Sequence, residues 1–121
     1  MKKILIVEDE QSILDLVKLV LSNTGHQIIT AMDGKTGLEM AISEKPDLIV
    51  LDVMLPELHG YAVCHQIKTN ETLKHTKVLI LTAKAFPADR RQAAEVGADS
   101  FMTKPVNAFL LLDEVKKLLA S

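Results

Sequence analysis

Cysteine and aromatic residues are scarce in this sequence of 121 residues. It contains one cysteine, Cys64, together with one tyrosine, three phenylalanines and no tryptophan. A single thiol cannot form a disulfide within the chain, so the composition is typical of a protein from a reducing compartment. The stripe that Cys64 shares with Val63 and Ile67 predicts a buried, unreactive side chain.

A strong excess of charge and a long apolar run are missing as well. The formal net charge is only -2 at pH 7, which excludes the basic surface typical of proteins that bind nucleic acid or anionic membranes. The beginning, Met1–Val7, looks briefly like a signal peptide, but its apolar part ends at Glu8. Since no stretch is long enough to cross a membrane, we expect a cytoplasmic protein.

What the chain does contain is the ordinary composition of a globular domain, with 48% apolar and 25% charged residues. This length is sufficient for one domain with a buried core. There is no linker, repeat or low-complexity segment. We therefore predict a single domain over residues 1–121.

Short apolar runs alternate with segments of helical period. The runs predict five strands: Ile4–Val7, Gln27–Thr30, Leu48–Leu51, Val78–Leu81 and Ser100–Met102. Apolar residues between them recur at the three- and four-residue spacing of amphipathic helices. This alternation predicts an α/β fold, with a parallel sheet covered by helices on both faces. The first, third and fourth runs are wholly apolar and suit central strands, whereas the mixed second and fifth suit edges, so the predicted strand order is 2-1-3-4-5.

Polar side chains stand where the predicted strands end. Glu8 and Asp9 follow the first strand, Asp52 follows the third, Thr82 follows the fourth and Lys104 comes after the fifth. Because the carboxyl ends of parallel strands meet at one edge, we expect these residues to lie together, near the point where ligands bind in such sheets. Three carboxylates there repel one another unless a cation compensates them.

A divalent cation and a phosphoryl group fit this set of residues. Mg²⁺ takes oxygen ligands and commonly combines one or two carboxylates with phosphate oxygens. Asp9 and Asp52 are candidate ligands, and Glu8 would act directly or through a water. Asp52 can then be the nucleophile that forms an acyl phosphate, while Lys104 neutralises the phosphoryl group and Thr82 donates a hydrogen bond to it.

Four segments in this order resemble the receiver domain of two-component response regulators: Ile4–Glu10, Pro46–Gly60, Val78–Ala85 and Gly97–Val106. The resemblance implies a flavodoxin-like (βα)5 sandwich, and the family is itself a known example of the 2-1-3-4-5 order. It also implies a phosphorelay switch that takes a phosphoryl group from a phosphohistidine of a sensor kinase or phosphotransfer protein. Such a domain catalyses that transfer and often its own dephosphorylation, but is primarily a signalling protein.

The resemblance also implies roles for individual residues at the acidic end of the site. Asp52 corresponds to the phosphoacceptor. Glu8 and Asp9 correspond to the acidic pair that holds Mg²⁺, and the backbone carbonyl of Met54 to a further ligand. The first acid of the pair is a glutamate here, which is a common variation in the family.

The remaining implied roles concern the switch. Thr82 corresponds to the switch hydroxyl, Phe101 to the switch aromatic residue and Lys104 to the lysine that pairs with phosphate, with a cis bond to Pro105. The face formed by the fourth helix, fifth strand and fifth helix would contact a downstream protein, an effector domain or a second copy of the chain. Leu110 falls on that face, pointing away from the apolar stripe of its helix.

Other interpretations remain open at this stage. Asp52 alone could be a surface acid or a helix N-cap, and Glu8 and Asp9 could cap the first helix. A flavin carrier of the same fold class would need a hydroxyl- and glycine-rich phosphate cradle after the first strand, where this chain has acids. A phosphohydrolase would place an Asp-x-Asp motif there. The remaining alternative is a receiver-like docking module that works without phosphorylation.

Overall fold

Strands and helices alternate strictly in the computed structural model, which describes residues 1–121. A short 3-10 helix, Glu71–Leu73, precedes the fourth strand. The strands are β1 (Lys3–Val7), β2 (Gln27–Ala31), β3 (Leu48–Leu51), β4 (Lys77–Thr82) and β5 (Ser100–Thr103). The helices are α1 (Gln11–Ser22), α2 (Gly34–Glu44), α3 (Gly60–Lys68), α4 (Pro87–Glu95) and α5 (Ala108–Ala120).

The five strands form one parallel sheet in the order β2-β1-β3-β4-β5, which confirms the predicted fold class and strand order. All of the predicted strands are present. Four are slightly longer than predicted. Paired polar residues extend three of them, as where Lys77 pairs with Leu48 and Thr82 with Thr103, and Ala31, paired with Val7, extends the second. Every residue of β3 is buried, whereas every residue of the edge strand β5 is half-buried.

Each face of the sheet has its own core because side chains alternate along a strand. Leu5 and Val7 of β1 point to the side covered by α2, α3 and α4, where Cys64 is also fully buried. Ile4 and Ile6 point to the side covered by α1 and α5. None of the five α-helices has the length and hydropathy needed to span a bilayer.

The loop between β3 and α3 is held close to the backbone of its neighbours. The amide of Gly60 donates to the carbonyl of Val53 at 2.9 Å, and the amide of Gly34 donates to the carbonyl of Pro56 at 3.0 Å. A Cβ atom at Gly60 would collide with the carbonyl oxygen of Asp52, and one at Gly34 with that of Leu58. Glycine at these two positions therefore allows the loop after Asp52 to pack tightly.

Candidate functional site

The carboxyl edge of the sheet brings together side chains from four strands. Glu8 follows β1 directly, Asp52 follows β3, Thr82 is the last residue of β4 and Lys104 follows β5. Backbone pairing continues past the strand ends, since the amide of Asp52 donates to the carbonyl of Val7 at 3.1 Å and that of Lys104 to Thr82 at 2.9 Å. The sheet itself therefore positions the site residues.

The ammonium group of Lys104 lies among three carboxylates. Its Nζ is 2.7 Å from Oε1 of Glu8, 2.9 Å from Oδ2 of Asp52 and 3.6 Å from Oε1 of Glu10. The side chains of Lys104, Glu8 and Asp52 are only 10%, 4% and 5% exposed. Buried charges need partners of this kind, because an unpaired buried charge is strongly unfavourable.

The pKa values of Glu8 and Lys104 respond to this burial. Burial raises the pKa of Glu8 above 4.5, although hydrogen bonds from Lys104 and from the Glu10 amide oppose the shift. Burial alone would lower the pKa of Lys104, but its hydrogen bonds to Glu8 and Asp52 outweigh that effect and raise the pKa above 10.5. Lys104 therefore keeps its charge over the whole neutral range.

A group of three acids at this edge has the character of a cation site. Carboxylate oxygens of Glu8, Glu10 and Asp52 all lie within 4.8 Å of one another, and Glu8 and Asp52 are buried. Converging carboxylate oxygens are the donors that hard divalent cations prefer. The residues present therefore fit a metal ion of that class.

Sequence reasoning placed Glu8 and Asp52 in this group correctly but missed Glu10. Asp9 is exposed and lies outside the group, so its role as a ligand stays a prediction. Glu10 has an extended backbone, with φ -88° and ψ 113°. The chain bends at Asp9, and the Glu10 amide donates to Oε2 of Glu8 at 3.1 Å, which brings Glu10 back beside Glu8.

Both carboxylate oxygens of Asp52 are occupied by hydrogen bonds. Oδ2 accepts from Lys104 at 2.9 Å, and Oδ1 accepts from the amide of Met54 at 3.3 Å. The Met54 side chain is 55% exposed, so this residue meets Asp52 through its backbone. The role of its carbonyl as a ligand stays a prediction.

The residues predicted to act in the switch lie on β4 and β5. Thr82 is fully buried, and its hydroxyl accepts from the amide of Lys84 at 3.2 Å rather than bonding to Asp52. Phe101 is half-buried and packs against the core. The guanidinium carbon of Arg90 lies 4.7 Å from its ring centroid, within the range of a cation–π contact. The Lys104–Pro105 bond is cis, as expected.

A shallow groove marks the face made by α4, β5 and α5. Its volume is about 280 Å³ and its lining includes Arg90, Phe101 and Leu110. Leu110 is 59% exposed, which confirms that it points away from the core. Phe109, next to Leu110 in α5, and Phe86, just before α4, are also largely exposed. Apolar side chains of α5 and of the residue that precedes α4 are therefore presented to solvent.

Comparison with known proteins adds an independent line of observation. The family model described as the response regulator receiver domain matches residues 4–116. The alkaline phosphatase synthesis transcriptional regulatory protein PhoP of Bacillus subtilis is 46% identical over 118 residues. That match covers 98% of this chain and 48% of the relative, so the chain spans about half the length of this protein.

Solved structures match over nearly the whole chain. The chemotaxis response regulator CheY4 of Vibrio cholerae has a TM-score of 0.90 and 30% identity, and the match covers 98% of both chains. The receiver domain of sensor histidine kinase PA1611 of Pseudomonas aeruginosa, which has a magnesium ion coordinated in its active site cleft, has a TM-score of 0.91 and 26% identity. The latter match covers 99% of this chain and 98% of that one.

Proposed function

This chain belongs to the response regulator receiver family, and from that premise we propose that it is a phosphorylation-dependent signalling switch whose acceptor is Asp52. The observation that carries the proposal is the placement of Asp52. Its carboxylate is 5% exposed, lies 2.9 Å from the Lys104 ammonium and stands at the carboxyl edge of a central strand. A nucleophile held this rigidly beside a fixed cation is suited to accept a phosphoryl group.

The chemistry requires little from the protein beyond position and charge. One oxygen of Asp52 forms a bond to phosphorus while the phosphorus–nitrogen bond of a donor phosphohistidine breaks, and the imidazole leaves and takes up a proton. We propose that Glu8, Asp9, Asp52 and the carbonyl of Met54 hold Mg²⁺. When bound, this ion supplies positive charge that stabilises the transferred phosphoryl group. Lys104 supplies the second positive charge.

The response to phosphorylation would pass through Thr82 and Phe101 to the groove beside them. The Thr82 hydroxyl would leave the Lys84 amide and donate to the new phosphoryl oxygens, and Phe101 would move into the space left. A phosphoryl group shifts the population of two states only through contacts that differ between them. The face of α4, β5 and α5 is where such a change would be read by another molecule.

The partners that we propose follow from this mechanism. A histidine kinase or histidine phosphotransfer protein would be the donor. A downstream protein, an effector domain or a second copy of this chain would bind the face that contains Leu110. The net charge of -2 gives no reason to expect direct contact with nucleic acid. We take residues 1–121 to act as one domain, in the cytoplasm.

Incubation with a small phosphodonor tests the proposed reaction. We expect the wild-type protein to gain one phosphoryl group in the presence of Mg²⁺ and none in the presence of a chelator, because the acids need a cation to accept a dianion. Intact-mass spectrometry measures the gain. A wild-type protein that binds Mg²⁺ in calorimetry but stays unmodified would overturn the proposal in favour of a docking module.

The Leu110→Lys substitution tests the arm of the proposal in which a second copy binds. We expect the phosphodonor-treated wild type to self-associate in sedimentation velocity and the variant to do so several-fold more weakly, because a charge would have to be buried in the contact. Leu19→Lys is the control, since Leu19 is 66% exposed on α1 and does not line the groove. A wild type that stays monomeric after treatment would rule out the second copy.

A further inference from the structure

Lys104 contacts a third acid to which the proposed reaction assigns no role. The carboxylate of Glu10 is 3.6 Å from Lys104 Nζ, at the margin of a direct ion pair. Its side chain is 62% exposed, whereas those of Glu8 and Asp52 are 4% and 5% exposed. Lys104 therefore has two buried partners that are fixed by the core and one outer partner that faces solvent.

The carboxylate of Glu10 is available to pair with Lys104 because it has no other polar partner in the fold. Glu10 occupies the N-cap of α1, where a polar side chain commonly accepts a hydrogen bond from the first turn. It makes no such bond here. Its backbone is engaged instead, since the amide donates to Oε2 of Glu8 at 3.1 Å and the carbonyl accepts from the Leu14 amide at 2.9 Å. The contact with Lys104 is thus the one ion pair or hydrogen bond that the Glu10 carboxylate makes.

Binding of a divalent cation creates a conflict at Lys104. The two buried acids that would hold the cation are the same ones that hold the ammonium. A second positive charge at these acids weakens their attraction for Lys104. Because Lys104 is only 10% exposed, water would replace its lost partners poorly, and a buried charge without a partner is unfavourable.

We propose that Glu10 is a positioning residue that keeps Lys104 paired when Glu8 and Asp52 bind a divalent cation. Because its side chain is exposed, Glu10 can stay close to the ammonium group of Lys104 and remain largely hydrated. The presence of Glu10 therefore strengthens binding of the cation, and it does so through Lys104. This inference rests on the metal role assigned above to Glu8 and Asp52.

A double-mutant cycle on Mg²⁺ affinity tests the inference. Calorimetry would give the Mg²⁺ dissociation constants of the wild type, Glu10→Gln, Lys104→Met and the double variant. Coupled residues show non-additive effects, so we expect Glu10→Gln to weaken binding at least about threefold more with Lys104 present than in the Lys104→Met background. Lys104→Gln replaces Lys104→Met in the cycle if the methionine variant fails to fold in circular dichroism.

Two results would overturn the inference while leaving the metal role intact. Equal weakening in both backgrounds would mean that Glu10 acts only through its own charge, and greater weakening without Lys104 would mean that it binds the cation directly. Asp15→Asn is the matched control, since it removes one negative charge from α1 at an exposed side chain that accepts a hydrogen bond from Gln11, and its effect should not depend on Lys104. Failure of the wild type to bind Mg²⁺ would overturn the metal role and this inference together.

Discussion

The Asp52→Asn variant is expected to lose phosphorylation completely while remaining folded. An amide oxygen is not a nucleophile for phosphoryl transfer, but asparagine has nearly the same shape as aspartate and can still accept from the Met54 amide. Lys104 retains Glu8, which lies 2.7 Å away. Intact-mass spectrometry after incubation with phosphodonor and Mg²⁺ measures the loss, and circular dichroism verifies the fold.

Asp47→Asn provides the control for this prediction. Asp47 lies just before β3, at the opposite end of the strand from Asp52, and its carboxylate accepts from the amide of Lys3 at 2.9 Å. The control should gain a phosphoryl group as the wild type does. Any phosphoryl group on Asp52→Asn would show that another residue is the acceptor.

The Lys104→Met variant is expected to have the largest effect on stability. Methionine retains most of the apolar stem of lysine but removes the ammonium, which leaves Glu8 and Asp52 buried without the cation that they share. Removing one partner of a buried ion pair costs about 3–5 kcal/mol, and we expect a loss of that order in the free energy of unfolding near neutral pH. Urea unfolding in the presence of a chelator measures it.

The pH dependence of this loss has a predictable sign. Burial already raises the pKa of Glu8 above 4.5, and without the hydrogen bond from Lys104 it rises further. At this site the folded variant then binds more protons than the unfolded chain, so the contribution of Glu8 to its stability is greatest below 4.5 and falls as the pH rises through the raised value. In the wild type, the stabilisation due to the raised pKa of Lys104 is present below 10.5 and is lost only at higher pH.

The measurement compares the wild type and Lys104→Met at roughly pH 5 and roughly pH 8. The difference in unfolding free energy between the two proteins should be clearly larger at the higher pH. If the difference in unfolding free energy were the same at both pH values, Glu8 and Asp52 would not depend on Lys104 to balance their charge. Lys68→Met is the control for the removal of an ammonium group from a less buried ion pair. Lys68 pairs with Asp99, whose side chain is 23% exposed.

Much of the fold follows from the sequence because burial imposes a pattern on it. The wholly apolar runs Ile4–Val7 and Leu48–Leu51 form central strands because both of their faces are covered by helices. The mixed runs at Gln27 and Ser100 form edges. Once these positions are assigned, the parallel topology alone brings Glu8, Asp52 and Lys104 to one edge of the sheet.

The sequence could not predict which side chains meet within that edge. Asp9 and Glu10 are both acids that follow the same strand, but only Glu10 joins Glu8 and Asp52. The choice depends on the backbone angles of residues 8–10, which hydrophobic periodicity does not encode because these residues no longer contribute to the core.

By itself, the sequence thus determined the strands, their order and the position of the phosphoacceptor candidate. The tertiary structure alone decided that one ammonium, that of Lys104, lies between two buried carboxylates and a third exposed one. The physical reason is that the burial of apolar residues determines which segments form strands or helices and which side of each one faces the core. The contacts of a charged group at the end of a strand depend instead on the directions and distances of side chains far apart in the chain.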